Sequence, residues 1–200
     1  MVEPARLTEA DYERASKVLR VPIATVKAVV EVESAGSGFL PSGKPTILYE
    51  AHVFHRNTKG RHAQARDQTG KRLSSPSWDK SLYGPGGDHQ HERLLAASDL
   101  DWEAAHKSSS WGLFQILGEN FREAGHADVK SFVDAMHESE GAQLDAFISY
   151  IQRRNLDGFL RQRHWAQFAR AYNGPRYAEN GYDVKLAQAY AKYSREVRDA

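Results

Sequence analysis

The sequence predicts a mainly helical fold with at most a small β-hairpin, and three observations support that prediction. Apolar residues recur at i, i+3, i+4 and i+7 through most of the chain. One short run, Thr46 to Glu50, reads as extended. Neither an internal repeat nor a low-complexity tract breaks the pattern. At 200 residues the length suits one compact core, so residues 1–200 are expected to form a single domain.

The elements follow in order. Thr8, with Asp11 three residues on, predicts a helix start, and Tyr12, Ala15 and Leu19 continue one face. Pro22 suits the first turn of a second helix. Ile23, Val26, Val30 and Glu33 follow at helical spacing until Gly36 and Gly38 stop it. Thr46 to Glu50 comes after a Pro41-Ser42-Gly43 turn. Residues 57–87 are rich in Gly, Ser, Pro and charge, and a loop that long in a compact domain is functional or mobile. Helical character returns near Glu92. Ser108-Ser109-Ser110 then reads as a cap before a further helix, with Gly112 allowing close backbone approach. Leu144, Phe147, Ile148 and Ile151 form a clear stripe. Trp165, Phe168, Ala169 and Tyr172 form another, ended by Asn173-Gly174-Pro175, and Leu186, Tyr190, Tyr193 and Val197 form the last. About seven or eight helices are expected in all.

Composition excludes several classes. Without Cys there is no disulfide scaffold, thiolate zinc site or Cys nucleophile. No apolar run reaches the roughly 20 residues of a membrane span. Met1-Val2-Glu3-Pro4-Ala5-Arg6 lacks the apolar stretch of a leader, so synthesis in a cytoplasm is expected. The last helix, Val184 to Arg198, alternates its charges, which favours packing on its own domain over membrane binding. Net charge is only +1, and no nucleic-acid partner is expected. The run from Arg56 to Arg72 sets six cations against Asp67. It either attracts an anionic polymer or is an ordinary solvated loop. His52 and His55, and His89 and His91, are close in sequence but lack a third ligand at a recognised spacing. His91-Glu92 continues as Arg93-Leu94-Leu95, which is not His-Glu-x-x-His, so neither a metal site nor a cofactor is expected. A Gly-x-Ser-x-Gly elbow and a phosphate loop are also missing.

Val29-Val30-Glu31-Val32-Glu33-Ser34 offers two carboxylates, and helical geometry separates them. At 100° per residue from Ile23, the residues Val26, Val30 and Glu33 fall at about −60°, −20° and −80°. Glu33 therefore lies on the apolar stripe. Glu31 falls at about +80°, one turn beyond Lys27, where an i, i+4 ion pair is available, and reads as surface. Burial disfavours the charged form of Glu33, and the negative end of the helix adds to that push. An acid kept protonated near neutrality is what glycosidic cleavage needs. The alternative is a buried Glu satisfied by a basic or hydroxyl partner.

Four pieces occur in fixed order: Val-Glu-Ser-Ala-Gly-Ser-Gly-Phe at 32–39, Lys-Pro-Thr-Ile-Leu-Tyr-Glu-Ala-His at 44–52, Ser-Ser-Trp-Gly-Leu-Phe-Gln-Ile at 109–116 and Ala-Tyr-Asn-Gly-Pro at 171–175. Together they resemble the N-acetylmuramidase family of phage endolysins, from about Thr8 to Tyr193. The Glu-Ser, Gly-Leu-Phe-Gln-Ile and Tyr-Asn-Gly pieces also look like those of goose-type lysozyme and soluble lytic transglycosylases, which implies a lysozyme-like helical fold.

The resemblance implies a monomeric enzyme that cuts the β-1,4 bond between N-acetylmuramic acid and N-acetylglucosamine in peptidoglycan, with Glu33 as general acid. It implies production in the host cytoplasm and action in the periplasm after holin-type release. Glu50 matches the family's acid after Ile-Leu-Phe, here Ile47-Leu48-Tyr49. It is either a second catalytic carboxylate or an ion-pair partner of Arg56 or a neighbouring His. His52, in the same motif, and Gln115 would contact substrate. Tyr172 reaches sugar or the catalytic carboxyl, or caps the core; Asn173 contacts substrate or only turns the chain. Rival readings are a lytic transglycosylase, a non-catalytic peptidoglycan-binding module, and a nucleic-acid binder using the basic loop.

Overall fold

A computed structural model of the chain describes residues 5–34, 36–175 and 177–199. Met1–Pro4, most of the stretch on which the leader expectation rests, lie outside the described residues, as do Ala35 and the side chain of Val197. The fold is mostly helical, with ten α-helices and a three-stranded antiparallel sheet among the described residues. The mainly helical, lysozyme-like expectation holds. The helices outnumber the seven or eight expected because short ones such as Ala51–Asn57 and Asp157–Gln162 carry too few turns to show a stripe.

Helix α1 (Glu9–Leu19) begins where expected: the Asp11 carboxylate accepts from the Thr8 backbone N–H at 2.8 Å and from its hydroxyl at 2.6 Å. Helix α2 (Ile23–Glu33) follows Pro22 and is central. Ala24, Val26, Ala28, Val29 and Val30 are all buried, so it is enclosed on more than the one stripe the spacing defined. Helix α1 covers one side, and the terminal helix α10 (Tyr182–Asp199) runs along another. Strand β1 (Ile47–Tyr49) leads into α3 (Ala51–Asn57).

The irregular stretch at 57–87 is tied to the body by identifiable bonds. Buried Arg93, on α4 (Asp88–Ser98), pairs with Asp67 and donates to the Arg72 carbonyl at 3.0 Å. The Tyr49 hydroxyl donates to the Leu73 carbonyl at 2.7 Å. Its cations are partly spent locally: Arg56 pairs with Glu119, Arg61 with Asp101, and Lys71 donates to the Ser81 carbonyl.

After α5 (Trp102–Lys107) one expectation fails. Ser108–Ser110 does not cap a helix; Ser109–Trp111 is strand β2, and a turn leads to β3 (Ile116–Leu117). The Ser108 and Ser109 hydroxyls bond backwards, to the Ala104 and Ala105 carbonyls at the end of α5. Gly112 at φ +70° and Gln115 at φ +49° then reverse the chain. The sheet order is β1-β2-β3.

Helices α6 (Val129–Glu138), α7 (Glu140–Arg153), α8 (Asp157–Gln162) and α9 (Trp165–Asn173) complete the body. The α7 stripe of Leu144, Phe147, Ile148 and Ile151 is buried as its spacing requires. Phe147 stacks on Phe114 of the β2–β3 turn at 4.1 Å. That contact seats the turn against the helical core, beside the end of α2.

Candidate active site

Glu33 is the last residue of α2, and Ser34 leaves helical geometry at φ −79°, ψ 144°. The helix thus stops at the acid itself, before the Gly36 that the sequence suggested. The last turn contains no basic residue. Glu33 lies on the wall of a cleft of about 450 Å³, with Gln115, Leu117, Tyr150, Tyr172 and Asn173 also lining it. Burial pushes its pKa up to about 7, against an opposing hydrogen bond from Asn173, whose Nδ2 donates to Glu33 Oε1 at 3.0 Å. Among the described residues no cation pairs with it. The carboxyl is desolvated, oriented by a neutral amide, and open to a groove. It can hold a proton at neutrality and deliver it to a group in the cleft.

Glu31, two residues earlier, is exposed and behaves differently. It accepts from Lys192 Nζ at 2.8 Å and from the Tyr193 hydroxyl at 2.6 Å, which lower its pKa. The expected partner, Lys27, instead pairs with Glu9 at 2.9 Å. The surface assignment is right and the partner wrong, because α10 packs beside α2.

Tyr172, half-buried near the end of α9, meets Phe147 edge-on at 5.4 Å and stacks on Phe168 at 5.8 Å. Burial, with the nearby Glu33 carboxyl, raises its phenol well above the usual value, so it remains a donor. It packs against the core and also lines the cleft beside Glu33. Asn173, the last helical residue before Gly174, contacts the acid itself, which a mere turn residue would not. Gln115 lines the cleft, yet its Nε2 is spent on the Gly112 carbonyl at 2.8 Å and the Thr46 carbonyl at 3.3 Å. Only its Oε1 is left to face a ligand.

Glu50 and His52 lie outside that cleft's lining. Glu50 sits at the start of α3 in extended geometry, and its N–H prolongs the β1–β2 ladder to the Ser108 carbonyl at 2.8 Å. Its Oε2 accepts from the Tyr83 hydroxyl at 2.5 Å, with His52 Nδ1 at 3.5 Å. Arg56 pairs with Glu119 instead.

Strand alternation relates the two carboxylates. Ile47 and Tyr49 are buried, so Leu48 and Glu50 take the other face. Leu48 is in register with Ser110, and Ser110 with Leu117, which lines the Glu33 cleft. One half-exposed sheet face therefore leads from the acid to Glu50.

Tyr83, Trp78 and Tyr150 were not singled out in the sequence. The first two sit in the aperiodic stretch, where nothing marks a site. Tyr150 had a signal, since it follows Phe147 by three residues on the α7 stripe. Among the described residues no group of three or more His, Asp or Glu side chains is placed to hold a metal ion.

Comparison with known proteins finds a family model and solved structures that match. The N-acetylmuramidase family model matches residues 22–194. The crystal structure of a Burkholderia AP3 phage endolysin is 41% identical with a TM-score of 0.87, covering 98% of this chain and 74% of that one. Among curated protein sequences none matches.

Proposed function

The chain belongs to the N-acetylmuramidase family, and on that premise we propose that Glu33 is the general acid that cuts peptidoglycan between N-acetylmuramic acid and N-acetylglucosamine. The protein is a peptidoglycan-degrading hydrolase. The observation that carries the reading of its mechanism is a carboxyl at the end of α2 with a pKa of about 7, on a cleft wall, oriented by Asn173.

The glycan strand lies along the cleft and over the sheet face toward Glu50. The Glu33 O–H gives its proton to the glycosidic oxygen as the bond from that oxygen to the sugar C1 breaks, leaving Glu33 ionised and positive charge on the sugar ring. Water adds at C1. Its proton passes to Glu50, or by way of a fixed water back to Glu33. Tyr83 and His52 hold the Glu50 carboxylate in place for either role.

Glu33→Gln keeps the shape and the bond from Asn173 but has no proton to give. Turbidity loss of purified sacculi should fall by at least about 10²-fold, the range of a positioned acid. Clearing at the wild-type rate would refute the assignment.

One observation favours a second reading. Glu50 lies outside the Glu33 cleft lining, which suits a transglycosylase with one acid/base whose muramyl 6-hydroxyl replaces water. Mass spectrometry of the digest separates the two: reducing ends mark hydrolysis, anhydromuramic ends the alternative.

The same proposal includes a monomer acting as one unit over 1–200, which a single core cluster from Ala15 to Leu186 supports. It also includes synthesis in the host cytoplasm and holin-type release to the periplasmic wall, in keeping with the phage endolysin the chain resembles. No helix among the described residues is long and apolar enough to cross a membrane.

A further inference from the structure

Trp78 is the most exposed of the tryptophans, at 60%. Of the others, Trp111 is buried at 1%, Trp102, 44% exposed, stacks on His106 at 4.1 Å, and Trp165 leans on Tyr190. An isolated exposed apolar side chain needs no explanation in itself. Trp78 differs in being held. Its Nε1 donates to the Tyr83 hydroxyl at 2.8 Å, and that hydroxyl in turn donates to Glu50. Tyr83 meets the indole edge-on, with centroids 6.4 Å apart, so an indole face stays open.

The support beneath is fixed as well. Gln90 of α4, buried at 1%, donates from Nε2 to the Tyr83 carbonyl at 2.8 Å, and its Oε1 accepts from the Tyr49 N–H of β1 at 3.1 Å. One amide thus binds the loop and the strand together. Ser75 N–H reaches the Ala51 carbonyl at 3.1 Å, closing the near end of the same segment.

We propose that Trp78 is a sugar-stacking platform, which binds one pyranose ring of the glycan strand just past Glu50. The inference rests on the muramidase reading and extends its substrate site along the sheet face. A β-1,4-linked pyranose presents axial C–H groups on its ring faces, an apolar surface the size of an indole. An aromatic ring with its polar handle already bonded on the protein side offers that surface at little cost in side-chain ordering. Its position, two hydrogen bonds from Glu50, sets it next to the sugar that Glu50 would serve.

The test measures apparent KM and kcat on purified sacculi for Trp78→Ala and Trp78→Phe. Trp78→Ala should raise KM about tenfold, the effect of losing one aromatic anchor, with kcat within about twofold of wild type. Trp78→Phe, which keeps a ring but loses the bond to Tyr83, should fall between. In the Glu33→Gln background, which binds without cutting, Trp78→Ala should also reduce co-sedimentation with sacculi. An unchanged KM for Trp78→Ala overturns the platform. So does a loss confined to kcat, because that is the signature of disturbed Glu50 geometry. If Glu33→Gln lyses like wild type, the underlying site is misplaced; if it is inactive while Trp78→Ala keeps its KM, only the platform is wrong.

Discussion

Asn173 Nδ2 donates to Glu33 Oε1 at 3.0 Å, joining the last residue of α9 to the last residue of α2. Burial drives the carboxyl toward neutrality, and this amide, whose donor favours the charged form, holds it back. On the proposed acid role, the balance of about 7 should set the high-pH limb of activity. Below it Glu33 holds the proton that the proposed mechanism gives to the leaving oxygen; above it that proton is gone.

Asn173→Leu removes the donor while keeping the site desolvated. The Glu33 pKa should rise, and the high-pH limb of kcat/KM should move upward. The maximal rate should fall about five- to tenfold as the carboxyl loses its orientation, the worth of one hydrogen bond. A pH–rate profile whose limb stays put, or moves down, excludes this balance between burial and the amide.

The raised pKa of Glu33 also has a consequence for stability. Its pKa is raised from 4.5 to about 7 by folding. Below pH 4.5 both folded and unfolded chains hold the proton, and the buried acid costs nothing. Between 4.5 and about 7 the unfolded chain has released it and the folded chain has not, so stability falls as pH rises. Above that window the full penalty is present. Glu33→Gln carries no such penalty and should exceed wild type by about 1–3 kcal/mol at pH 8. That is ~2–4 °C in Tm per kcal/mol for a chain of this size. Calorimetry at pH 4, 6 and 8 should show the gap close toward acid; a constant gap would exclude the linkage.

The buried position of Glu33 was legible because its signal is local. The 11 residues of α2 are enough to put Glu33 among Val26 and Val30 and to turn Glu31 outward. What those residues touch was not legible. Lys192 lies 161 residues from Glu31, and no helical spacing encodes which side of α2 the last helix takes. The Ser108–Ser110 segment misled for a related reason: its hydroxyls can cap a following helix or bond a preceding one, and the outcome depends on the chain reversal at Gly112–Gln115. Trp78 and Tyr83 gave no pattern at all. Their positions come from Gln90 and Glu50, which reach them from other elements.

Glu50 separates two roles that its surroundings leave open in the sequence. Glu50→Gln retains an oxygen able to accept from Tyr83, so the loop anchor survives and Tm should stay within about 2 °C of wild type. What is lost is charge. If the carboxylate receives the water proton or faces positive charge on the sugar, kcat should fall about 10²-fold with little change in KM. Wild-type kcat for this variant would reduce Glu50 to an anchor for Tyr83.

Gln115 poses the converse question, because it lines the cleft yet spends its donor inward. Its backbone is held at φ +49°, a costly conformation for a residue with a Cβ, and Nε2 bridges the Thr46 and Gly112 carbonyls that shape the turn. Gln115→Ala keeps the strain and loses both bonds, and should destabilise by about 1–2 kcal/mol. Gln115→Gly relieves the strain and should recover part of that. Gln115→Glu leaves a carboxylate facing two carbonyls and should be the least stable of the three. If Gln115 matters chiefly through the turn, activity should follow stability across the series, with Gly above Ala. If its free Oε1 binds sugar, Ala and Gly should show the same raised KM despite their different Tm values. Parallel measurement of Tm and KM on the three variants therefore tells the turn from the ligand contact.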